Sequence, residues 1–268
     1  NMLQTGRVRR DIGFKELAKI YWPDYVVLCT LLILVGVIAG FVNPYEREMP
    51  VNFTADHSQP MLDYRHWDHP ICPWYVLFII TLGLPILVFG ITQLWFKSKH
   101  DFHHACFGLT MAFAFTIFFT EIFKNQAGRE RPDFYARIDN GDADFIKGLG
   151  RYSFPSGHAS LSIANLSFLM YYLMGKMHIL RPNGGELYKV VVAVFPLGIA
   201  WWISVSRTQD NHHNFSDIVG GMVMGFPFGL ISYLLCYPTL TSPDCDVPKL
   251  RSDSDDSGGH HSLQEELF

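Results

Sequence analysis

Apolar residues gather into six stretches along the chain, near residues 25–42, 73–96, 105–123, 159–174, 190–205 and 216–237, with charged residues crowded into the gaps between them. About 20 apolar residues carry a helix across the hydrocarbon core of a bilayer, so this pattern predicts six membrane spans. The fourth stretch, Ala159 to Met174, and the fifth, Val190 to Val205, are shorter than the others. Ser160, Ser162, Asn165 and Ser167 interrupt the fourth, and in isolation it would suit a buried helix of a soluble protein. Beside four better stretches, the membrane reading prevails. Pro85, Pro196 and Pro227 fall inside apolar stretches, where neighbouring helices can satisfy the backbone groups a proline frees.

The expected fold is therefore all-α, a six-transmembrane-helix bundle built as one domain over residues 25–240. Residues 1–24 read as a leader. Within it Phe14, Leu17, Ala18 and Tyr21 share one helical face away from Lys15 and Lys19, as in an interfacial helix, although a loose charged leader has the same composition. No cleavable signal peptide is expected, because the first apolar run is longer than a signal core and lacks a small-residue cleavage pattern. Residues 241–268 are polar and acidic, with Asp253, Asp255 and Asp256, and read as a disordered tail.

Composition agrees with this picture, since 49% of the residues are hydrophobic and only 17% charged. Six spans place both termini on one side, together with twelve of the 21 Lys and Arg residues. The excess of basic charge puts that side in the cytoplasm. Asn52-Phe53-Thr54, in the first loop of the opposite side, is an N-glycosylation acceptor pattern. Cys29, Cys106 and Cys236 sit within spans, so no disulfide framework is implied. No nucleic-acid partner is expected.

Three segments carry candidate chemistry, and the span count puts all three on the non-cytoplasmic side. The first runs from Lys124 to Arg131-Pro132, the second is Pro155-Ser156-Gly157-His158, and the third is Ser206-Arg207 followed by His213 and Asp217. Phosphoryl transfer needs the charge on the phosphate oxygens neutralised and the nucleophile held in line. Lys124, Arg131 and Arg207 could supply three fixed cations. Ser156 is placed to cap the fourth span, whose first backbone N–H groups can point at an anion, with Gly157 allowing close approach. His213 and Asp217 are four apart, so on a helix the carboxylate can orient the ring and leave one nitrogen to attack phosphorus. His158 would protonate the leaving alkoxide and then activate water.

Each residue also has a plainer explanation. Lys and Arg at span ends often reach toward lipid head groups, a histidine near a helix start can be a cap, and Asp217 could be a favourable charge at a helix N-terminus. Those explanations do not account for the three patterns occurring in order on one side. A nucleophilic Ser156 is conceivable, but capping is its best-placed role. His212 reads as a bystander, since Ser216 and not an acid follows four later, and Glu121 reads as a partner of Lys124. No metal-ligand cluster is visible: His103-His104 and His260-His261 are adjacent pairs without carboxylate or cysteine at usable spacing.

Taken together the three segments resemble the signature of the type 2 phosphatidate phosphatase, or lipid phosphate phosphatase, family. The likeness runs from about the first span through Leu240. Ser153-Phe154-Pro155-Ser156-Gly157-His158 and Tyr237-Pro238-Thr239-Leu240-Thr241 are most similar to the diacylglycerol pyrophosphate phosphatase type, while Glu130 departs from the family's usual neutral residue or proline. The resemblance implies His213 as nucleophile, His158 as acid–base residue, Asp217 as orienter, and Lys124, Arg131, Ser156, Gly157 and Arg207 as phosphate binders. It further implies hydrolysis of membrane lipid phosphates such as phosphatidate, diacylglycerol pyrophosphate or lysophosphatidate, with no metal and no cofactor. A lipid head-group phosphotransferase and a catalytically inactive lipid-binding relative are the alternatives.

Overall fold

The computed structural model describes residues 12–46, 64–67, 69–141, 149–181 and 185–250. Asn52, His260 and His261 lie outside the described residues, as does the acidic stretch from Arg251 onward. Among the described residues there is no strand. The described residues form seven helices: α1 (Phe14–Phe41), α2 (Trp74–Phe96), α3 (Lys99–Ala127), α4 (Phe134–Asp139), α5 (Gly157–Lys176), α6 (Leu187–Gln209) and α7 (Phe215–Cys236). Short α4 aside, they follow the six apolar stretches. A π turn at Ile79–Gly83 is absorbed within α2.

Helices α1, α2, α3, α6 and α7 are long and apolar enough to cross a membrane, which makes the chain a multi-pass membrane protein by the length and composition of its helices. Their outward faces carry large apolar side chains, among them Ile33, Leu87, Trp95, Phe195, Trp201 and Val223, as surfaces facing lipid require. The leader is not a separate interfacial helix. Phe14 to Tyr21 form the first turns of α1 itself, which continues through Pro23 without a break, and Leu17 and Tyr21 are buried against the bundle.

Helix α5 is the axis of the bundle, packed against α3, α6 and α7. Sixteen of its twenty residues are buried, which explains its low apolarity: a helix sheathed by other helices has no lipid face to satisfy. Its hydroxyls are engaged internally, Ser160 with Thr120 at 2.9 Å and Ser162 with the Ala200 carbonyl at 3.3 Å. The packing partner on α7 is a ridge of glycines, Gly221, Gly225 and Gly229, one per turn. A Cβ at Gly225 would stand 2.3 Å from the Ser160 carbonyl oxygen, and one at Gly229 would stand 2.5 Å from that of Ala164. The backbones thus approach as closely as in small-residue interfaces of membrane helices.

Successive long helices run in alternate directions, so both ends of the bundle can be assigned. At one end Lys176 of α5 pairs with Asp101 of α3, and Asp101 also accepts hydrogen bonds from Gln93 (2.9 Å), Tyr172 (3.2 Å) and Tyr237 (3.1 Å). The chain beyond α7 returns to this end, contrary to the expectation of disorder from residue 241. Lys249 N donates to the Cys236 carbonyl at 2.8 Å, Lys176 Nζ donates to the Asp246 carbonyl, and Cys245 is buried against Gly175. Composition alone missed this because a few specific anchoring contacts, Tyr233 Oη and Lys249 Nζ supplying two more, are enough to hold a polar turn.

Candidate active site

The other end collects the C-termini of α3 and α6 and the N-termini of α5 and α7, and with them all three motif segments. Local sequence sets each element boundary. Gly128 ends α3 in a left-handed conformation (φ 52°), and a side chain there would stand 1.8 Å from the Tyr45 carbonyl oxygen. Ser156 caps α5, accepting from Ala159 N at 3.4 Å. Asn214 and Asp217 form a capping box at α7, with Asn214 N donating to Asp217 Oδ2 at 2.9 Å. The two helix starts are tied together by Ser156 N donating to the Asp217 carbonyl at 3.0 Å. The N-termini of α5 and α7 therefore lie side by side, and their dipoles favour an anion between them.

Lys124, from α3, places its ammonium 3.3 Å from where a Cβ on Gly157 would be. Glycine at 157 is what lets the cation lie over the start of α5. Glu121 pairs with Lys124 at 2.8 Å. Arg207 is buried at the end of α6, paired with Asp210, whose carboxylate also accepts from Ile71 N at 3.1 Å. Burial depresses the Arg131 guanidinium below its usual range, with Asp133 opposing the shift. It remains charged, as arginine does in proteins.

Four buried nitrogens at this end have no hydrogen-bond partner: Arg131 Nε, His158 Nε2, Arg207 Nε and His213 Nδ1. Arg207, Lys124 and His213 all lie within electrostatic range of His158, and Arg131 and Lys124 within range of His213. Unsatisfied buried donors are costly and normally few. Here they belong to the residue types that bind or attack a phosphate.

His213 lies in the turn between α6 and α7, its backbone N–H donating to the Arg207 carbonyl at 3.2 Å. Burial, reinforced by the charges of Arg131 and Lys124, pushes its imidazole down to about 4 against the opposing pull of Asp217. The ring is thus neutral at pH 7, with a lone pair to offer. Nδ1 stands 3.7 Å from Asp217 Oδ2, longer than a hydrogen bond. Asp217 is meanwhile held by three other donors. Arg129 Nη1 donates to its Oδ1 at 2.8 Å, and Ser153 Oγ and Asn214 N donate to its Oδ2 at 2.6 and 2.9 Å. Catalytic hydrogen bonds are often long in unliganded sites and shorten when the substrate is seated.

Arg129 and Ser153 escaped the sequence reading. They lie 88 and 64 residues before Asp217, and only the return of Ser153 N to the Arg129 carbonyl at 3.0 Å brings the two together. His212, set aside as a bystander, meets His66 and Asp133, with ligand-type atoms of all three within 4.8 Å of one another. Glu130 is buried and faces Arg151 at 3.8 Å.

An all-helical membrane protein with three cations and two histidines gathered about paired helix starts at one end defines a class, and comparison with known proteins gives that class a family. Residues 104–239 match the model of the PAP2 superfamily. A PA-phosphatase related-family protein of Dictyostelium discoideum is 38% identical over 85% of the chain and 84% of its own length. Lipid phosphate phosphatase 2 of Arabidopsis thaliana is 29% identical over 92% of the chain and 90% of its own length. The probable diacylglycerol pyrophosphate phosphatase 1 of Schizosaccharomyces pombe is 30% identical, covering 89% and 90%. No solved structure matches the chain. The chain belongs to the PAP2 superfamily and is an enzyme of its phosphatase type.

Arg129 touches Asp217 and Ser216, so its expected effect is on the position of Asp217. Arg129→Ala is expected to lower kcat by roughly 10- to 100-fold with little change in KM, because Asp217 then loses one of its anchors. Arg129→Lys should recover part of the loss. A change in KM alone would place Arg129 in substrate binding instead.

Proposed function

We propose that the protein hydrolyses phosphate esters or anhydrides of membrane lipids through a phosphohistidine intermediate. The observation that carries this is the convergence of the four unpartnered nitrogens of Arg131, His158, Arg207 and His213 beside Lys124 and the start of α5. A phosphate group seated there satisfies those of Arg131, Arg207 and His158, while His213 Nδ1 closes on Asp217. Arg131, Arg207 and Lys124 spread over its oxygens, and the N–H groups of the first turn of α5 complete the cradle. His213, turned with Nδ1 toward Asp217, attacks phosphorus through Nε2. His158 protonates the departing lipid oxygen. The same ring then takes a proton from water, which cleaves the phosphorus–nitrogen bond and frees inorganic phosphate. Asp217 stabilises the imidazolium of His213 while the bond to phosphorus exists. Relatives named for lipid phosphate and diacylglycerol pyrophosphate support a lipid substrate.

Because side chains supply the positive charge, activity is expected to survive chelation. Purified protein assayed on phosphatidate, lysophosphatidate and diacylglycerol pyrophosphate in EDTA should release phosphate at the uncomplexed rate. A strict magnesium requirement for the chemical step would sink this mechanism. Release of a head-group-exchanged lipid in the presence of an alcohol acceptor, in place of free phosphate, would mark a transferase.

Helix α5 is the sixth span in this proposal: its 20 residues reach about 30 Å, and its ends meet the same two ends of the bundle as its neighbours. The site then faces the lumen, vacuole or exterior, and both termini face the cytoplasm, in line with the excess of basic residues there. A lipid in the outer or lumenal leaflet can present its head group to the cradle while its tails stay in hydrocarbon. In sealed right-side-out vesicles, a tag after Phe268 should resist protease and added lipid should be hydrolysed without permeabilisation. The opposite pattern inverts the topology.

A further inference from the structure

Beside the cradle lies a second cluster that the phosphatase chemistry does not use. Its three members come from distant parts of the chain: His66 from the segment before α2, Asp133 from the start of α4, and His212 from the turn after α6. Two contacts hold the His66 segment in place. Tyr64 N donates to the Pro132 carbonyl at 3.1 Å, next to Asp133, and Asn211 Nδ2 donates to the Arg65 carbonyl at 3.0 Å, next to His212. The segment thus bridges the first and third motif segments.

The donor atoms are close enough to be drawn onto one ion, which would replace the hydrogen bond now joining His66 and Asp133. His66 Nδ1 and Asp133 Oδ2 are 2.7 Å apart, the His66 and His212 rings are 5.8 Å apart, and ligand-type atoms of the three residues fall within 4.8 Å. His212 Nδ1 donates to the Asp210 carbonyl at 2.9 Å, which fixes the tautomer with the lone pair on Nε2. That outer hydrogen bond is the one histidine ligands ordinarily make. A further, independent sign is Asp133 Oδ1: the residue is fully buried, yet this oxygen has no hydrogen-bond partner. A buried carboxylate oxygen left unsatisfied is expensive unless something cationic comes to it.

We propose that His66, Asp133 and His212 form an inhibitory site for a zinc-class divalent ion at the rim of the phosphate cradle. Two imidazoles and one carboxylate are the donor set of zinc, with a fourth position open to water or a phosphate oxygen. Magnesium and calcium, which need six or more oxygens, are excluded by the same set. The charge of Arg131 lies within range of His212 and opposes the incoming ion, while Asp133 favours it, so binding is expected to be reversible. Metal on His212 pins the residue adjoining His213, and Asp133 lies two residues from Arg131. An ion there holds the nucleophile's turn in one position and competes with the cradle for phosphate. The inhibitory part rests on the phosphatase reading; the binding part does not.

The test uses the full-length protein in detergent, stripped with EDTA and desalted. Zinc chloride is titrated against a chromophoric zinc chelator, and phosphate release from phosphatidate micelles is followed at the same free zinc. One zinc per chain is expected, with affinity reduced at least about tenfold in His66→Ala and in Asp133→Asn. His66→Ala should keep its zinc-free activity and need at least about tenfold more zinc for half-inhibition. Zinc sequestering the lipid would inhibit both proteins equally and overturn the inhibitory role. Equal zinc affinity in wild type and His66→Ala overturns the site itself, and because His66 is at the rim this variant remains informative if Asp133→Asn does not fold. Stoichiometric zinc binding by a wild type that releases no phosphate at any free zinc would uphold the site and reject the phosphatase reading instead.

Discussion

His213→Ala is expected to lower turnover of lipid phosphate by at least about 10⁴-fold while leaving the protein folded, because in the proposed mechanism it removes the attacking atom itself. Normal elution and an unchanged melting temperature in detergent would separate loss of chemistry from loss of fold. His158→Ala should be nearly as severe on a lipid alkoxide. It should be much milder on an aryl phosphate, whose leaving group departs without a proton. His212→Ala, on the other side of the turn, should be mild. Full activity in His213→Ala with none in His212→Ala would reverse the two roles. The wild-type pH profile is a companion test. An ordinary histidine takes up a proton below about pH 6.5, but burial holds His213 down to about 4. A lowered value means the neutral, nucleophilic form persists as pH falls. The kcat/KM profile should therefore stay level through pH 6 and decline only near pH 4. An acid limb near the ordinary histidine value would assign attack to a more exposed group.

The second large effect is structural. Gly225→Leu should destabilise the bundle by about 3 kcal/mol or more, with matching loss of activity, since the new side chain has no flexible neighbour to displace. The Ser160 carbonyl 2.3 Å from the Cβ position belongs to the backbone of α5 and cannot move without its helix. Separating α5 from α7 would also break the hydrogen bond from Ser156 N to the Asp217 carbonyl, which aligns the two helix starts. Thermal unfolding in detergent, followed with phosphate release, reads both consequences. Gly90, whose Cβ position has nothing within 4 Å, gives the control: Gly90→Ala should be nearly silent. Equal tolerance at both positions would show that α5 and α7 do not pack this closely.

Much of this was legible in the sequence because the signals are local. Run length marks the apolar helices and Ser156 just before the fourth apolar stretch marks a cap, but the shared helical face read from His213 and Asp217 is not what brings them near: His213 lies in the turn before α7, ahead of its Asn214 cap. What stayed hidden depends on contacts across the chain. The ties from Arg129 and Ser153 to Asp217 need α3, α5 and α7 already assembled. His66 sits in an irregular segment with no periodicity to announce it, so its meeting with Asp133 and His212 had no sequence signal. The ridge of Gly221, Gly225 and Gly229 could have been found from its four-residue spacing, which in an apolar helix is a packing signature. The return of residues 241–250 could not, since composition describes what a segment lacks and not the few anchors it has.

The sheathed character of α5 bears on how the chain enters a membrane in the first place. Helices are handed to the bilayer in order of synthesis, and each is sorted by its own apolarity. With Ser160, Ser162, Asn165 and Ser167 in its middle, α5, the proposed sixth span, is the helix least able to partition unaided. When it emerges, α6 and α7, which cover much of it in the finished bundle, have not yet been made. Only α3 among its three main packing partners is then present, and the Thr120–Ser160 hydrogen bond is one of the contacts available to hold it. Biogenesis of this enzyme is therefore cooperative at α5. Substitutions on the α3 face that meets it should reduce the amount of protein inserted before they alter the rate of any molecule that succeeds.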